Sequence, residues 1–267
     1  MRRLALLAAA AVAVAVAALG ACKRQQETRF PAQPAASRPP EPMAWTRSTP
    51  DVIVELTLAP EIARHSGLRD RLYTDGVGEL TGFMRTAAED RQRLVAKGLP
   101  VRPYVRRIHW TLTADSPLLL SLREDWFDDT GGAHPNAGAN GMLWSVGRDR
   151  EVLPGELFPP SADHARLDAI LCAAIDRTVA ERRGGAPSPR SGSCPRWADA
   201  DFVLERSGTP GRIGGVVFLF DPYTIGSFAE GEYQVHVPAS AFIGAVAAPY
   251  AGAFLGGPAD PPPARRG

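Results

Sequence analysis

The sequence has no surplus of charge, few cysteines and none of the residue spacings that usually announce catalysis. Lys plus Arg number 30 against 29 Asp plus Glu, so nothing points to nucleic acid or a bulk anionic surface as partner. The five histidines, His65, His109, His134, His164 and His236, never fall three or four residues apart, the spacing that places two imidazoles on one helix face. There is no Gly-x-Ser-x-Gly nucleophile turn and no glycine-rich phosphate loop leading into a helix. Neither Cys172 nor Cys194 has a neighbouring base or helix N-terminus to activate its thiol. Glu124, Asp125, Asp128 and Asp129 cluster near His134, but acids grouped in a loop read first as solvated turn residues. The expectation is therefore no cofactor, no metal and no catalytic residue, with enzymatic activity left as the lesser alternative.

What is there begins at the N-terminus. Arg2 and Arg3 precede an apolar stretch, Leu4 to Leu19, and then Leu19-Gly20-Ala21-Cys22. A positive head followed by an apolar segment short of the roughly 20 residues needed to span a membrane has the layout of a signal peptide. The four residues ending at Cys22 resemble the lipobox of bacterial lipoproteins, which implies cleavage after residue 21 and a lipid on Cys22. Lys23 in place of an Asp points to the periplasmic face of the outer membrane if the host is a diderm. An exported chain with two further cysteines invites a Cys172–Cys194 disulfide, with two free thiols as the other reading.

Residues 22–49 are rich in Pro, Ala, Gln and Arg without apolar period and read as a tether. Residues 248–267, Gly/Pro/Ala-rich toward the end, read as a disordered tail. About 245 residues remain after cleavage, enough for one large domain or two small ones. The pattern between tether and tail is mixed. Asp51 to Leu58 is a strand, and Leu68, Leu72, Leu80, Phe83, Met84 and Ala87 recur at helical spacing, with a break conceivable at Gly76–Gly78. Ile108, Trp110 and Leu112 alternate with His109, Thr111 and Thr113, and a second strand follows from Leu118, making a hairpin. The recipe then recurs: a strand at 141–146, an amphipathic helix at 162–183, and strands near 202–204, 214–220 and 233–237. This is an α+β fold, an antiparallel sheet packed against helices, built from two consecutive helix-then-strands units over 50–127 and 128–247.

Two connections stand out. In Asp128-Asp129-Thr130-Gly131-Gly132-Ala133-His134 the glycines permit a tight reversal, and His134 either braces it or meets a ligand. In Asp221-Pro222-Tyr223-Thr224-Ile225-Gly226-Ser227-Phe228-Ala229-Glu230-Gly231, Tyr223 and Phe228 either cover the sheet end or bind by stacking. Together with Leu157-Phe158 and the helix between, these motifs resemble a family of extracellular domains of unknown function. It is shared by lysozyme-binding ectodomains of anti-sigma factors, the non-catalytic N-terminal half of a peptidoglycan deacetylase, and stand-alone lipoproteins. The resemblance covers roughly 50–246 and is stronger in the second half. It implies an α+β fold and carries over no catalytic residue. Pro135 departs from the small or polar residue usual after the His.

Three functional expectations follow. The first is a non-enzymatic envelope module, lipid-anchored to the membrane, that binds peptidoglycan or a protein such as lysozyme through His134, Asp129, Tyr223 and Phe228. The second is a cell-wall hydrolase or deacetylase using His134 with nearby carboxylates. The third is a purely structural envelope lipoprotein.

Overall fold

The computed structural model describes residues 43–185 and 193–255. The expected signal peptide at 1–21, Cys22, the tether as far as residue 42 and the end of the tail from residue 256 lie outside the described residues. All described residues belong to one compact unit, Pro42–Gly267.

The first six strands form one sheet in sequence order: β1 Ala44–Ser48, β2 Val52–Leu58, β3 Tyr104–Asp115, β4 Leu119–Asp129, β5 Asn136–Ser145 and β6 Arg150–Val152. Neighbours are antiparallel except β2 and β3, which run parallel. Parallel neighbours cannot be joined by a tight hairpin and need a crossover; helix α1, Ser66–Ala96, is that crossover. Its periodic face, Leu68, Leu72, Leu80 and Ala87, packs on Val54, Leu56, Ile108 and Trp110 of the sheet. The helix runs unbroken through Gly76. A Cβ there would sit 2.8 Å from a Leu56 methyl, so this glycine lets the helix lie close to β2 instead of ending it.

The second half places α2, Pro154–Leu157, and α3, His164–Arg182, before a three-stranded antiparallel sheet of β7 Phe202–Arg206, β8 Ile213–Phe220 and β9 Tyr233–Pro238. Two short helices, α4 Ala239–Phe242 and α5 Ala248–Ala251, close the chain. Every residue of β8 is buried, which explains its continuous apolar run. On one face Val217 and Leu219, together with Val203 of β7, meet Ala139 of β5 in the first sheet. On the other, Val216, Phe218 and Phe220 share a core with Leu171 and Ile175 of α3. The layers are thus α1, large sheet, small sheet, α3.

The α+β class, with helices packed against largely antiparallel sheets, is the observed architecture, but β5 and β6, expected to open the second unit, complete the first sheet. Details differ from expectation at both ends. Residues 44–48 of the presumed tether form β1, an edge strand whose side chains are almost all exposed, so no apolar alternation marks it. The presumed tail begins ordered: Tyr250, Ala253 and Phe254 are buried, and Phe254 bridges Ile213. Two aromatic anchors there outweigh a Gly/Ala-rich background. The 127/128 boundary falls inside β4. Cys172 on α3 and Cys194 are joined by a disulfide with Cα atoms 5.5 Å apart. Among the described residues no helix is long and apolar enough to cross a membrane, and no group of three or more His, Cys, Asp or Glu side chains is arranged to hold a metal ion.

Candidate functional site

The two motif connections, far apart in sequence, meet through their rings. His134 and Phe228 have ring centroids 4.4 Å apart with planes inclined at 33°. Phe228 in turn stacks on Tyr223, at 5.4 Å and 28°. Phe228 is the shared member, and all three rings are exposed, Tyr223 to 70%. Single exposed aromatics are ordinary; a column of three on two anchored loops is not.

Each loop is fixed by its own chemistry. Between β4 and β5, Gly131 adopts φ 81°, and its N–H donates to the Asp129 carboxylate at 2.9 Å. Arg102 donates to the same oxygen at 3.0 Å. Asp128 receives Arg106 at 3.3 Å; burial pushes its carboxyl above the ordinary range, with Arg106 opposing. His134 itself places Nδ1 3.0 Å from the carbonyl oxygen of Pro135.

The β8–β9 connection opens with a turn in which the Thr224 N–H donates to the Asp221 carbonyl at 3.1 Å. Pro222 sits at the second position, where its fixed φ is favoured, and Tyr223 at the third with φ 75°. A positive φ at that position normally calls for glycine or asparagine. Tyr223 is therefore held in a backbone conformation that costs energy, with its ring in solvent. The Asp221 carboxylate accepts the Ala139 N–H at 3.1 Å, tying the turn to the edge of β5, and burial raises its pKa.

Downstream, Glu230 is the hub. Its carboxylate accepts from the Ser227 N–H at 2.7 Å, from Arg183 at 2.7 and 3.0 Å, and from the Tyr233 hydroxyl at 3.0 Å. The Arg183 guanidinium, then the Ser227 N–H, hold its carboxyl far below the usual range. Arg182 donates to the carbonyls of Glu230 and Glu232 at 2.9 and 2.7 Å and lies 3.7 Å over the Tyr233 ring. Arg123 of β4 clamps Glu232 at 2.8 Å. Gly226 is required by close approach, since a Cβ would meet the Tyr233 ring at 2.5 Å.

Of the four residues singled out from sequence, His134, Tyr223 and Phe228 come together, whereas Asp129 supports the turn from behind through Arg102. The clamps Arg182, Arg183, Arg123 and Glu230 were not legible as site residues. Arg182 and Arg183 lie at the end of a helix read only for its apolar face, and Arg123 faces its partner across 109 positions.

A family model for a protein of unknown function (DUF3298) matches residues 210–240. That stretch holds β8, the Tyr223–Phe228 loop and β9. This is the domain-of-unknown-function family that the two motifs resemble. Among solved structures, a DUF3298 family member from Bacteroides fragilis NCTC 9343 is similar at 14% identity and TM-score 0.50, covering 79% of this chain and 93% of that one. A DUF3298 family protein from Pseudomonas aeruginosa PAO1 is 16% identical with TM-score 0.46, covering 80% and 94%. At these identities the Bacteroides likeness speaks to fold alone. No curated protein matches the chain.

Proposed function

We propose that this chain, which carries the DUF3298 signature, is an exported, lipid-anchored envelope protein. Its folded part binds peptidoglycan, or a protein that acts on it such as lysozyme, without catalysing a reaction. One observation carries the reading: His134, Phe228 and Tyr223 form an exposed ring column on two loops whose backbones are pinned by buried or ion-paired groups. Preorganised aromatic surface offers large contact area with little conformational entropy left to lose, the economy that binding surfaces share. The strained φ of Tyr223 supports it further, because strain of this kind gathers where a side chain must be presented. The lipobox-like Leu19-Gly20-Ala21-Cys22 supports the envelope location. Acid–base chemistry fits less well, since Asp128 and Asp129 are turned to Arg106 and Arg102 while His134 lies against Phe228.

The test is retention of the chain from Lys23 onward on purified sacculi and, separately, on immobilised lysozyme. Wild type should be retained on at least one of them, with retention at least about tenfold lower for the His134→Ala/Tyr223→Ala double variant, the loss expected where two ring anchors go. Absence of wild-type retention on both ligands overturns the reading.

A further inference from the structure

At the C-terminus of α1 the chain reverses through a glycine and builds one side of an open groove. Gly98 takes φ 69°. The Leu99 N–H donates to the Leu94 carbonyl at 3.0 Å and the Gly98 N–H to the Val95 carbonyl at 2.9 Å. This pair of bonds satisfies the last carbonyls of a helix and folds the next residue back toward it. Leu94, Leu99, Pro100 and Val101 thereby give the groove an apolar side, with Leu99 49% exposed.

The β4–β5 turn supplies Thr130, Gly131 and Gly132 to the same groove, which has a volume of about 650 Å³, within the range of ligand pockets. Arg102 and Tyr104 stand beside that turn: a Cβ on Gly131 would lie 3.8 Å from Arg102 Nε and 3.9 Å from the Tyr104 ring. Gly132 opens onto free space, since a Cβ there would have only the His134 carbonyl oxygen within reach, at 3.9 Å. Two adjacent glycines leave a strip of bare backbone that a ligand ring can approach closely. Two residues further on, the same turn carries His134 of the ring column.

The charges narrow the occupant. Arg102 is the one charged residue of the lining, and its Nη2 already donates to Asp129 at 3.0 Å. An anion would have to compete with Asp129, and a cation would meet the guanidinium. A neutral ligand meets neither obstacle. The Arg102 side chain is 61% exposed, and a guanidinium has five N–H donors, so an oxygen of such a ligand can be bound without breaking the ion pair.

We propose that this groove is a saccharide subsite for a neutral, N-acetylated amino sugar of a glycan strand. The acetamido methyl packs on Leu94, Leu99, Pro100 and Val101, the acetamido carbonyl accepts from Arg102, and the sugar ring lies along Gly131 and Gly132. The proposal rests on the peptidoglycan reading above and selects the glycan within it. A sugar without the acetamido group loses both the apolar contact and the acceptor, so the groove discriminates on both.

The test titrates tri-N-acetylchitotriose, three linked N-acetylated glucosamines, into ¹⁵N-labelled protein of residues 23–267. The Gly131 and Gly132 amide resonances should move saturably, with the millimolar affinity of a small neutral ligand. Cellotriose, the same backbone with hydroxyls in place of the acetamido groups, should bind at least about tenfold more weakly, the loss expected when a fitted group is removed. Gly132→Trp places a ring in the open space of the groove. It should weaken tri-N-acetylchitotriose at least about tenfold while the amide resonances of β8 stay in place. Glycine resonances that stay still up to the solubility of the probe overturn the proposal, as does cellotriose affinity equal to that of the acetylated sugar. Unchanged affinity in Gly132→Trp also overturns it. Retention on sacculi is read separately: retention with still glycine resonances removes the groove and leaves the peptidoglycan reading standing, whereas loss of both removes the two together.

Discussion

Tyr223 concentrates the tension between stability and function in one residue. Its φ of 75° is a conformation that costs a residue with a Cβ about 1–2 kcal/mol and a glycine almost nothing. Against that, the ring gains from Phe228 only the ~0.5–1.5 kcal/mol typical of an aromatic pair. If the ring is there to bind, Tyr223→Gly should leave stability to urea unchanged or raised by up to about 1 kcal/mol while retention on the ligand is lost. A destabilisation above ~1 kcal/mol would instead make Tyr223 a brace of its own loop and remove the strain argument for binding. The sequence marked Tyr223, Phe228 and His134 as unusual, since rings beside glycines in short connections are visible locally. Their meeting was not visible, because nothing in either loop records that β5 and β8 come to lie beside each other.

At the scale of elements, legibility followed length and burial. Helices α1 and α3 bury one face over many turns, so their period showed; β8, buried on both faces, showed as an apolar run. Strand β1 is exposed, and α2, α4 and α5 have four residues each, too few for a period to emerge. Helix α2 is held instead by charge: Arg150 donates to the Glu156 carboxylate at 2.6 and 2.9 Å, and the Leu153 N–H donates to it at 3.3 Å. The guanidinium first and the backbone donor second lower the Glu156 pKa from 4.5 to about 2. A carboxyl depressed in the folded state contributes stability above its unfolded pKa and loses it as pH falls through the folded one. Wild type should therefore shed a small increment of stability between about pH 4.5 and pH 2 that Glu156→Gln does not. Exposed ion pairs contribute little, so urea midpoints of the two proteins should differ most at neutral pH and converge at the acid end. Parallel pH profiles would mean that α2 is positioned by Pro154 and the packing of Leu157 alone.

The molecule as a whole depends on how closely its two sheets approach, because that contact carries the β8–β9 loop to the β4–β5 turn. The backbones touch where β5 passes β7: a Cβ on Gly141 would overlap the carbonyl of Phe202. Beside this point the Ser121 hydroxyl of β4, fully buried, accepts the Leu204 N–H of β7 at 2.7 Å and bonds the Thr113 hydroxyl at 3.0 Å. Gly141→Ala has no flexible side chain to push aside, only backbone, so it should cost about 3 kcal/mol or more, the upper end for overpacking. Ser121→Ala creates no clash but strands a buried N–H, a loss of roughly 1–3 kcal/mol. Both changes strike one junction, so the double variant should lose less than the two single losses combined. Urea unfolding followed by amide exchange distinguishes two architectures. If the sheets form one cooperative unit, strands on both sides of the junction lose protection together, and His134 parts from Phe228 only as the fold is lost. If β7–β9 lose protection while β2–β4 keep theirs, the small sheet detaches by itself. The ring column would then be a site that exists only while the sheets stay docked, and ligand binding should raise the stability of that junction above all others.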